Sequence, residues 1–114
     1  MEDSPNIIVE LSFNFALATI KEVELLQADK HFVIANQLLK AGTSIGANVR
    51  ESQAAESRQD FIHKMKIAAK EAEETDYWLL LCNKAGYLTN DTLLDKCLSI
   101  RKILSKIISS SKNK

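Results

Sequence analysis

The stretch that decides the fold is residues 44–79, SIGANVRESQAAESRQDFIHKMKIAAKEAEETDYWL. From Phe61 onward, apolar residues recur at alternating spacings of three and four, which is the seam of an amphipathic helix. Ser57 is followed three residues later by Asp60, a variant of the capping box that starts a helix. Without a turn before Ser57, one helix would run from about 31 to 85, far beyond the usual length of about 11–12 residues. The stretch therefore predicts two consecutive helices.

Working outward, the chain predicts two further helices and a single domain. Ser4 and Pro5 form a helix start, and Asp29 is a candidate cap for the second helix. Gly86 suits the left-handed position that ends the third helix, and Thr89 or Asn90 can cap the fourth. The predicted fold class is all-α, an antiparallel up-down four-helix bundle. Its helices cover about 5–27, 31–54, 58–85 and 90–109 of a single domain, 1–114, with a polar tail at 110–114.

The predicted core follows four apolar seams. The second helix carries a heptad seam that includes two polar residues, and two glycines four residues apart lie inside the same helix. Each glycine costs about 1 kcal/mol relative to alanine, so we expect a neighbouring backbone to approach closely there. The first helix is apolar on two adjacent stripes, which predicts contact with more than one neighbour. These stripes are Ile8, Leu11, Phe15, Ala18 and Leu25, and Phe13, Leu17, Ile20 and Val23; the glycines are Gly42 and Gly46.

The composition excludes several classes of protein. Apolar residues make up 46% of the chain, with three glycines and one proline, which favours a few long helices. The sequence has no run of eighteen apolar residues, so it predicts no membrane span. The acidic N-terminus does not resemble a signal peptide, and we therefore expect a cytoplasmic protein. Cys82 and Cys97 fall on apolar helical positions and are interpreted as packed thiols, with a redox pair as the alternative.

Polar residues recur at positions that would face inward between the second and third helices. Ser44, Asn48 and Ser52 follow one another every four residues, and Glu71, Glu74 and Thr75 can face them from the third helix. The favoured interpretation is a structural hydrogen-bond network that specifies one helix arrangement. The alternative is a metal-binding or enzymatic bundle that uses the carboxylates of Glu71 and Glu74. Because no nucleophile, metal-ligand set or glycine loop accompanies them, we assign no catalytic residue, no metal ligand and no cofactor.

Basic residues concentrate near the C-terminus, although the whole chain is neutral, with fifteen basic and fifteen acidic residues. Candidate nucleic-acid contacts are Lys96, Arg101, Lys102 and Lys106, with Lys64, Lys66 and Lys70 on the third helix. Arg101 and Lys102 lie off the apolar seam and are expected to be solvated. An ordinary charged face exposed to solvent is the competing explanation.

Several motifs together resemble a known family. They are Ser44-Ile45-Gly46-Ala47-Asn48, then Asp60-Phe61-Ile62, then Lys70-Glu71-Ala72 with Glu74-Thr75 and Tyr77-Trp78-Leu79. In this order they resemble the 23S ribosomal RNA intervening-sequence proteins. The resemblance implies an antiparallel bundle that assembles as a ring-like homo-oligomer, a pentamer. A related branch, the accessory variability proteins of diversity-generating retroelements, binds nucleic acid and partners a reverse transcriptase, but those proteins are strongly basic. The resemblance supplies no catalytic residue.

The functional hypothesis is a non-enzymatic oligomeric scaffold or adaptor. Its partner would be RNA, DNA or a protein that processes nucleic acid, and no membrane is involved. The alternative hypothesis is the metal-binding or enzymatic bundle built on Glu71 and Glu74. Binding of RNA that weakens with salt would favour the first hypothesis, and metal in the purified protein would favour the second.

Overall fold

The computed structural model describes residues 4–88 and 90–113, with side chains from Ile7 onward. The described chain forms four helices and no strand. They are α1, Ser4–Ala28; α2, Phe32–Ser52; α3, Arg58–Lys84; and α4, Thr92–Lys112. These bounds lie close to the predicted ones at every helix end, and α4 continues through residues 110–112, where the sequence predicts a polar tail.

The helices form an antiparallel bundle, as the sequence predicts. Each helix packs on the one that follows it, and α4 closes the bundle against α1, while α1 and α3 lie diagonally opposite. Short connections at 29–31, 53–57 and 85–91 force consecutive helices to run antiparallel. The contact between α1 and α4 is the thinnest of the four. The bundle measures 47 × 22 × 21 Å, and no helix of the described chain is long and apolar enough to cross a membrane.

The turn between α2 and α3 follows the predicted capping box. Ser57 is extended, with φ −154° and ψ 165°, and its side chain accepts a hydrogen bond from the backbone N–H of Asp60 at 3.0 Å. The Asp60 carboxylate in turn accepts from the backbone N–H of Glu56 at 3.4 Å. Because both side chains satisfy backbone donors at the helix start, the prediction of a new helix there is confirmed.

The ends of α1 and α3 share one C-terminal motif. Gly86 has φ 81°, as predicted, and the N–H of Tyr87 donates to the Cys82 carbonyl at 2.9 Å. Lys30 takes the same left-handed conformation, φ 67°, after α1, and the N–H of His31 donates to the carbonyl of Leu26. A non-glycine residue in this conformation gives no sequence signal, so the motif at Lys30 was not predicted.

Both of these turns lie at one end of the bundle, where the His31 and Tyr87 rings stack with centroids 3.6 Å apart. His31, not Asp29, precedes α2, and it makes no side-chain cap bond, so the predicted Asp29 cap is wrong. The turn after α1 uses residues 29–31 for the left-handed motif, which leaves Asp29 too early to cap α2.

At the start of α4, the side chain of Asn90 accepts a hydrogen bond from the backbone N–H of Thr92 at 3.2 Å. Thr89 and the side chain of Ser4 lie outside the described residues.

The core confirms the predicted seams of α3 and α4, of which only Phe61 and Ile107 are half-buried rather than buried, and corrects those of α1. The α3 seam is Phe61, Met65, Ala68, Ala72, Thr75, Leu79 and Cys82, and the α4 seam is Leu93, Cys97, Ile100, Leu104 and Ile107. The buried face of α1 follows a third stripe that includes two polar residues, Ser12 and Thr19. Leu11, Phe13, Leu17, Ile20 and Leu25 of the predicted stripes are exposed instead. The fully buried core includes Ile8, Phe15, Val23, Leu26, Leu38, Ile45, Val49, Met65, Ala68, Ala72, Leu79, Cys82, Leu93, Cys97, Ile100 and Leu104.

The two glycines of α2 explain why α1 turns a polar stripe inward. A Cβ at Gly42 would lie 2.7 Å from Thr19 Cγ2, and a Cβ at Gly46 would lie 3.1 Å from the backbone oxygen of Ser12. Both contacts are tighter than ordinary side-chain packing allows. The expected close approach at these glycines is confirmed for the backbone at Gly46, whereas Gly42 meets a side chain.

Candidate nucleic-acid interface

The six polar residues singled out between α2 and α3 differ in depth. Ser52 and Thr75 are fully buried, Ser44, Asn48 and Glu71 are half-buried, and Glu74 is exposed. Val49, rather than Asn48, occupies the innermost position at that level of α2. The seam predicted for α2 includes Asn48, so at this level the prediction is wrong by one position.

The donors among these residues bond to their own helices. Ser44 Oγ donates to the Lys40 carbonyl at 2.6 Å, and Asn48 Nδ2 donates to the Ser44 carbonyl at 2.8 Å. Ser52 and Thr75 make similar local bonds, to the carbonyls of Val49 and Glu71. Such bonds satisfy a hydroxyl or amide in a packed interface without linking two helices. A direct contact between α2 and α3 comes instead from Lys64, whose Nζ lies 2.8 Å from Glu51 Oε1.

Glu71 and Glu74 have different surroundings. Burial raises the pKa of the Glu71 carboxyl above 4.5, and the charge of Glu74 raises it further, while Lys40 and Lys70 lower it. Glu74 Oε2 accepts a hydrogen bond from Trp78 Nε1 at 3.2 Å. In the described part of the chain, no group of three or more His, Cys, Asp or Glu side chains is placed to hold a metal ion.

Replacing Glu71 by glutamine is expected to stabilise the protein at pH 7. A raised pKa means that ionised Glu71 is disfavoured in the folded state. The contribution of this carboxyl to stability is therefore most favourable below pH 4.5, and it is lost as the pH rises through the pKa of the folded state. The gain should therefore shrink towards zero as the pH is lowered to about 4. Urea unfolding of both proteins at pH 4 and pH 7 measures it, with the exposed Glu10→Gln as control. A gain of equal size at both pH values would contradict the role of ionisation.

The four cations predicted on α4 do not share a face. Arg101 is half-buried, and its guanidinium nitrogens lie 3.6 Å from Asp76 Oδ2 and 3.9 Å from Glu73 Oε2 on α3. Lys96 and Lys106 line separate grooves beside α1, and Lys102 is exposed. The expectation that Arg101 is solvated is therefore wrong, because two carboxylates of α3 hold it.

Cations do gather in a groove between α3 and α4, which we call the α3–α4 groove. It has a volume of about 500 Å³ and is lined by Ala69, Lys70, Glu73, Arg101, Ser105, Ile108, Ser109 and Lys112. Lys66 lies one turn before Lys70 on α3 and is close enough to Lys112 that repulsion between the two ammonium groups lowers the pKa of Lys66. The groove and its edge therefore carry more cations than carboxylates. The cations are Lys66, Lys70, Arg101 and Lys112, and the carboxylates are Glu73 and Asp76.

This groove has the chemistry of an anion site. Ammonium groups and the hydroxyls of Ser105 and Ser109 are donors that suit phosphate oxygens, while Arg101 is already engaged with carboxylates. Lysine acts as a mobile point charge, so such a site would hold a phosphate without reading a base.

Lys112 is the member of the groove that the sequence did not suggest. The run Ser109-Ser110-Ser111 indicates a frayed end, because serine is a weak helix former. In the structure α4 continues to Lys112, which brings that lysine beside α3. A possible signal is that Ile107 and Ile108 extend the apolar seam almost to the end of the helix, and both are half-buried.

The fold and these surfaces define a small antiparallel four-helix-bundle protein with a basic groove between its last two helices. The chain belongs to the 23S rRNA-intervening sequence protein family, whose family model matches residues 5–109. It is similar, with 39% sequence identity and a TM-score of 0.89, to a crystal structure of a protein of unknown function from the S23 ribosomal protein family of Bacteroides thetaiotaomicron VPI-5482. That match covers 93% of this chain and 98% of the other. No curated protein matches this chain.

Proposed function

We propose that the protein is a non-enzymatic adaptor that assembles with copies of itself and binds the phosphate backbone of a nucleic acid in the α3–α4 groove. The observation that carries the proposal is that Lys70 of α3 and Lys112 of α4 line one groove, with Lys66 beside Lys112 at its edge. A phosphate between Lys66 and Lys112 would relieve the repulsion of their ammonium groups. We further propose the cytoplasm as its compartment.

The neutral net charge of the chain is compatible with this role because binding depends on the local field. Screening at physiological salt confines a charge to about 8 Å, so the acidic residues of α1 contribute little at the α3–α4 groove. The name of the family refers to intervening sequences of 23S rRNA, which makes RNA the first nucleic acid to test. An oligomer would present the groove several times, and such multivalency strengthens binding without any base contact.

Exposed apolar residues support self-assembly. Phe13, Leu17 and Ile20 on α1 are 52%, 49% and 42% exposed, and Tyr77 and Leu80 on α3 are 56% and 45% exposed. Because α1 and α3 are diagonal in the bundle, these patches point in different directions. A contact between two different patches repeats from copy to copy and closes into a ring when the rotation allows it. The pentamer implied by the family resemblance is an arrangement of this kind.

Charge reversal in the groove is expected to weaken RNA binding about tenfold. In Lys66→Glu/Lys112→Glu, two phosphate contacts are lost, so the slope of log affinity against log salt should fall by about 1.4 for single-stranded RNA. Fluorescence anisotropy with labelled single-stranded RNA measures both the affinity and its salt dependence. The titration runs from about 50 to about 200 mM salt, a range over which a protein with about ten phosphate contacts loses affinity steeply. Lys21→Glu/Lys84→Glu, two exposed reversals outside the groove with the same total change of charge, serves as the matched control.

The outcomes of this titration separate the proposed groove from the cations first suggested by the sequence. If Lys96→Glu/Lys102→Glu weakens RNA binding and the groove variant does not, the nucleic acid lies on another face of α4. If the unmodified protein retains no RNA at the lowest salt, the nucleic-acid part of the proposal is wrong.

Replacing Leu17 by aspartate is expected to convert the assembly into monomers. A charge placed in a patch that becomes buried between copies would lie unpaired in the interface and cost several kcal/mol. Light scattering after size-exclusion chromatography gives the mass, and circular dichroism confirms that the bundle is intact. Asn36→Asp, an exposed change on α2 outside both patches, is the control. A monomeric unmodified protein at high concentration would contradict self-assembly.

A further inference from the structure

A second groove, which we call the acyl groove, lies where the bundle is least tightly closed. It has a volume of about 510 Å³ and opens between the start of α1 and the end of α4, beside the start of α3. The contact between α1 and α4 is the thinnest in the bundle, so these helices leave an opening that the other pairs do not. The described residues that line it are Ile7, Ile8, Gln53, Phe61, Met65, Ile103, Lys106, Ile107, Ser110 and Ser111.

The acyl groove is lined mostly by apolar side chains. Ile8 and Met65 are buried and form part of the core, Phe61, Ile103 and Ile107 are half-buried, and Ile7 is half exposed. Sites for small organic ligands are concave, mostly apolar and about 300–1,000 Å³, with a few polar groups that orient the ligand. The groove meets each of these conditions.

The polar groups of the acyl groove are few and carry one sign of charge. Among the described residues that line it, Lys106 alone is charged, and Gln53, Ser110 and Ser111 supply neutral polar groups. An apolar chain with an anionic head complements this pattern, because the chain removes apolar surface from water while the head meets the ammonium group. A cationic or strongly polar molecule would match neither feature.

We infer that the acyl groove is a binding site for a single-chain amphiphile with an anionic head, a fatty acid, whose chain lies along Phe61, Ile103 and Ile107 and whose carboxylate pairs with Lys106. This inference is independent of the proposed nucleic-acid function, since Lys106 lies outside the α3–α4 groove and Lys66, Lys70 and Lys112 lie outside the acyl groove.

The test uses dodecanoate below its micelle-forming concentration, measured by calorimetry and by methyl NMR of the isoleucines and methionines. Binding should shift the methyl signals of Ile103 and Ile107. Octanoate should bind at least tenfold more weakly, because it buries about four fewer methylene groups at about 0.8 kcal/mol each. Lys106→Ala should weaken dodecanoate binding about fivefold. Ser110→Trp, which fills the groove from an exposed position, should weaken it at least tenfold, whereas the exposed Lys102→Ala should leave it unchanged.

Head-group variants of the same chain length identify what Lys106 recognises. Dodecyl phosphate should bind as well as dodecanoate, and the neutral dodecanol and cationic dodecyltrimethylammonium should bind about fivefold or more weakly. Equal binding of the cationic amphiphile, or unchanged affinity in both Lys106→Ala and Ser110→Trp, would overturn the inference. It would also be overturned if no amphiphile bound; Ile103 and Ile107 signals that changed only with protein concentration would then show that a second copy occupies the groove.

Discussion

Replacing Gly42 by alanine is expected to destabilise the protein by about 1–2 kcal/mol, although alanine is the better helix former. The new Cβ would lie 2.7 Å from Thr19 Cγ2 and 2.9 Å from Thr19 Oγ1. Thr19 is fully buried, and its hydroxyl donates to the Phe15 carbonyl at 2.9 Å, so the side chain cannot turn away without losing that bond. Overpacking of this kind costs about 1–3 kcal/mol, against about 1 kcal/mol gained from helix propensity.

A second substitution should reverse the loss. Thr19→Ala removes the two atoms nearest to the new methyl group, and the methyl then fills part of the space that they leave. Both alanines favour the helical backbone, so Thr19→Ala/Gly42→Ala is expected to be at least as stable as the unmodified protein. The coupling between the two positions, from a double-mutant cycle of urea unfolding, should be about 2 kcal/mol.

The size of the helix-propensity effect is measured in the same helix. Ala47 is exposed on α2, so Ala47→Gly should cost about 1 kcal/mol through backbone entropy alone. If Gly42→Ala instead stabilised the protein by that amount, and the cycle showed no coupling, α1 and α2 would not pack closely at Gly42.

Gly42 and Thr19 also show why the sequence predicts the buried faces of α3 and α4 better than that of α1. Helices α3 and α4 each have one apolar stripe, so periodicity alone identifies their buried faces. Helix α1 has more than one apolar stripe, and its inward face is chosen by the shape of α2, where Gly42 and Gly46 admit only the small groups of Thr19 and Ser12. That choice depends on contact between two helices, which a pattern read along one helix does not contain.

The candidate site was predictable in composition but not in arrangement. Lys66 and Lys70 are four residues apart, so the sequence places them on one face of α3. Their meeting with Lys112 depends on where α4 ends and on how it faces α3, and neither is encoded by local spacing. The pattern of α4 alone predicts that Arg101 is exposed to solvent. Its partners, Glu73 and Asp76, lie on the neighbouring helix α3, and the sequence of α4 does not contain that contact.

Cys97 is expected to react with a thiol reagent at least about a thousandfold more slowly in the native protein than in the unfolded chain. Burial, together with the nearby Asp76 carboxylate and against the opposing charge of Arg101, raises the pKa of its thiol from 9.0 to about 12. Only the thiolate is nucleophilic, so this shift alone lowers the reactive fraction about a thousandfold at neutral pH. The side chain is also fully buried, and its Sγ–H donates to the Ala72 carbonyl at 3.3 Å.

The experiment uses Cys82→Ala, which leaves Cys97 as the single thiol, and follows labelling as urea is raised. The rate should track the population of the opened state, because the native thiol contributes almost nothing. Cys82→Ala/Cys97→Ala/Ser99→Cys carries an exposed thiol two residues away on α4 and should label at once, at a rate independent of urea below the unfolding transition. Rapid labelling of Cys97 without urea would contradict the packing of α4 against α3.

The raised pKa of Cys97 also makes the stability of the bundle depend on pH in the alkaline range. Because the folded pKa lies above the unfolded one, the contribution of this thiol to stability is complete below pH 9 and is lost as the pH rises towards 12. Above pH 9 the unfolded chain releases the proton and the native state holds it, so the free energy of unfolding should fall with pH. Cys97→Ala lowers stability at pH 7 by opening a small cavity, yet the difference between the two proteins should narrow steadily above pH 9. A constant difference from pH 7 to pH 10.5, a range that spans the ordinary thiol pKa of about 8.5, would show that Cys97 ionises as freely in the native bundle as in the unfolded chain.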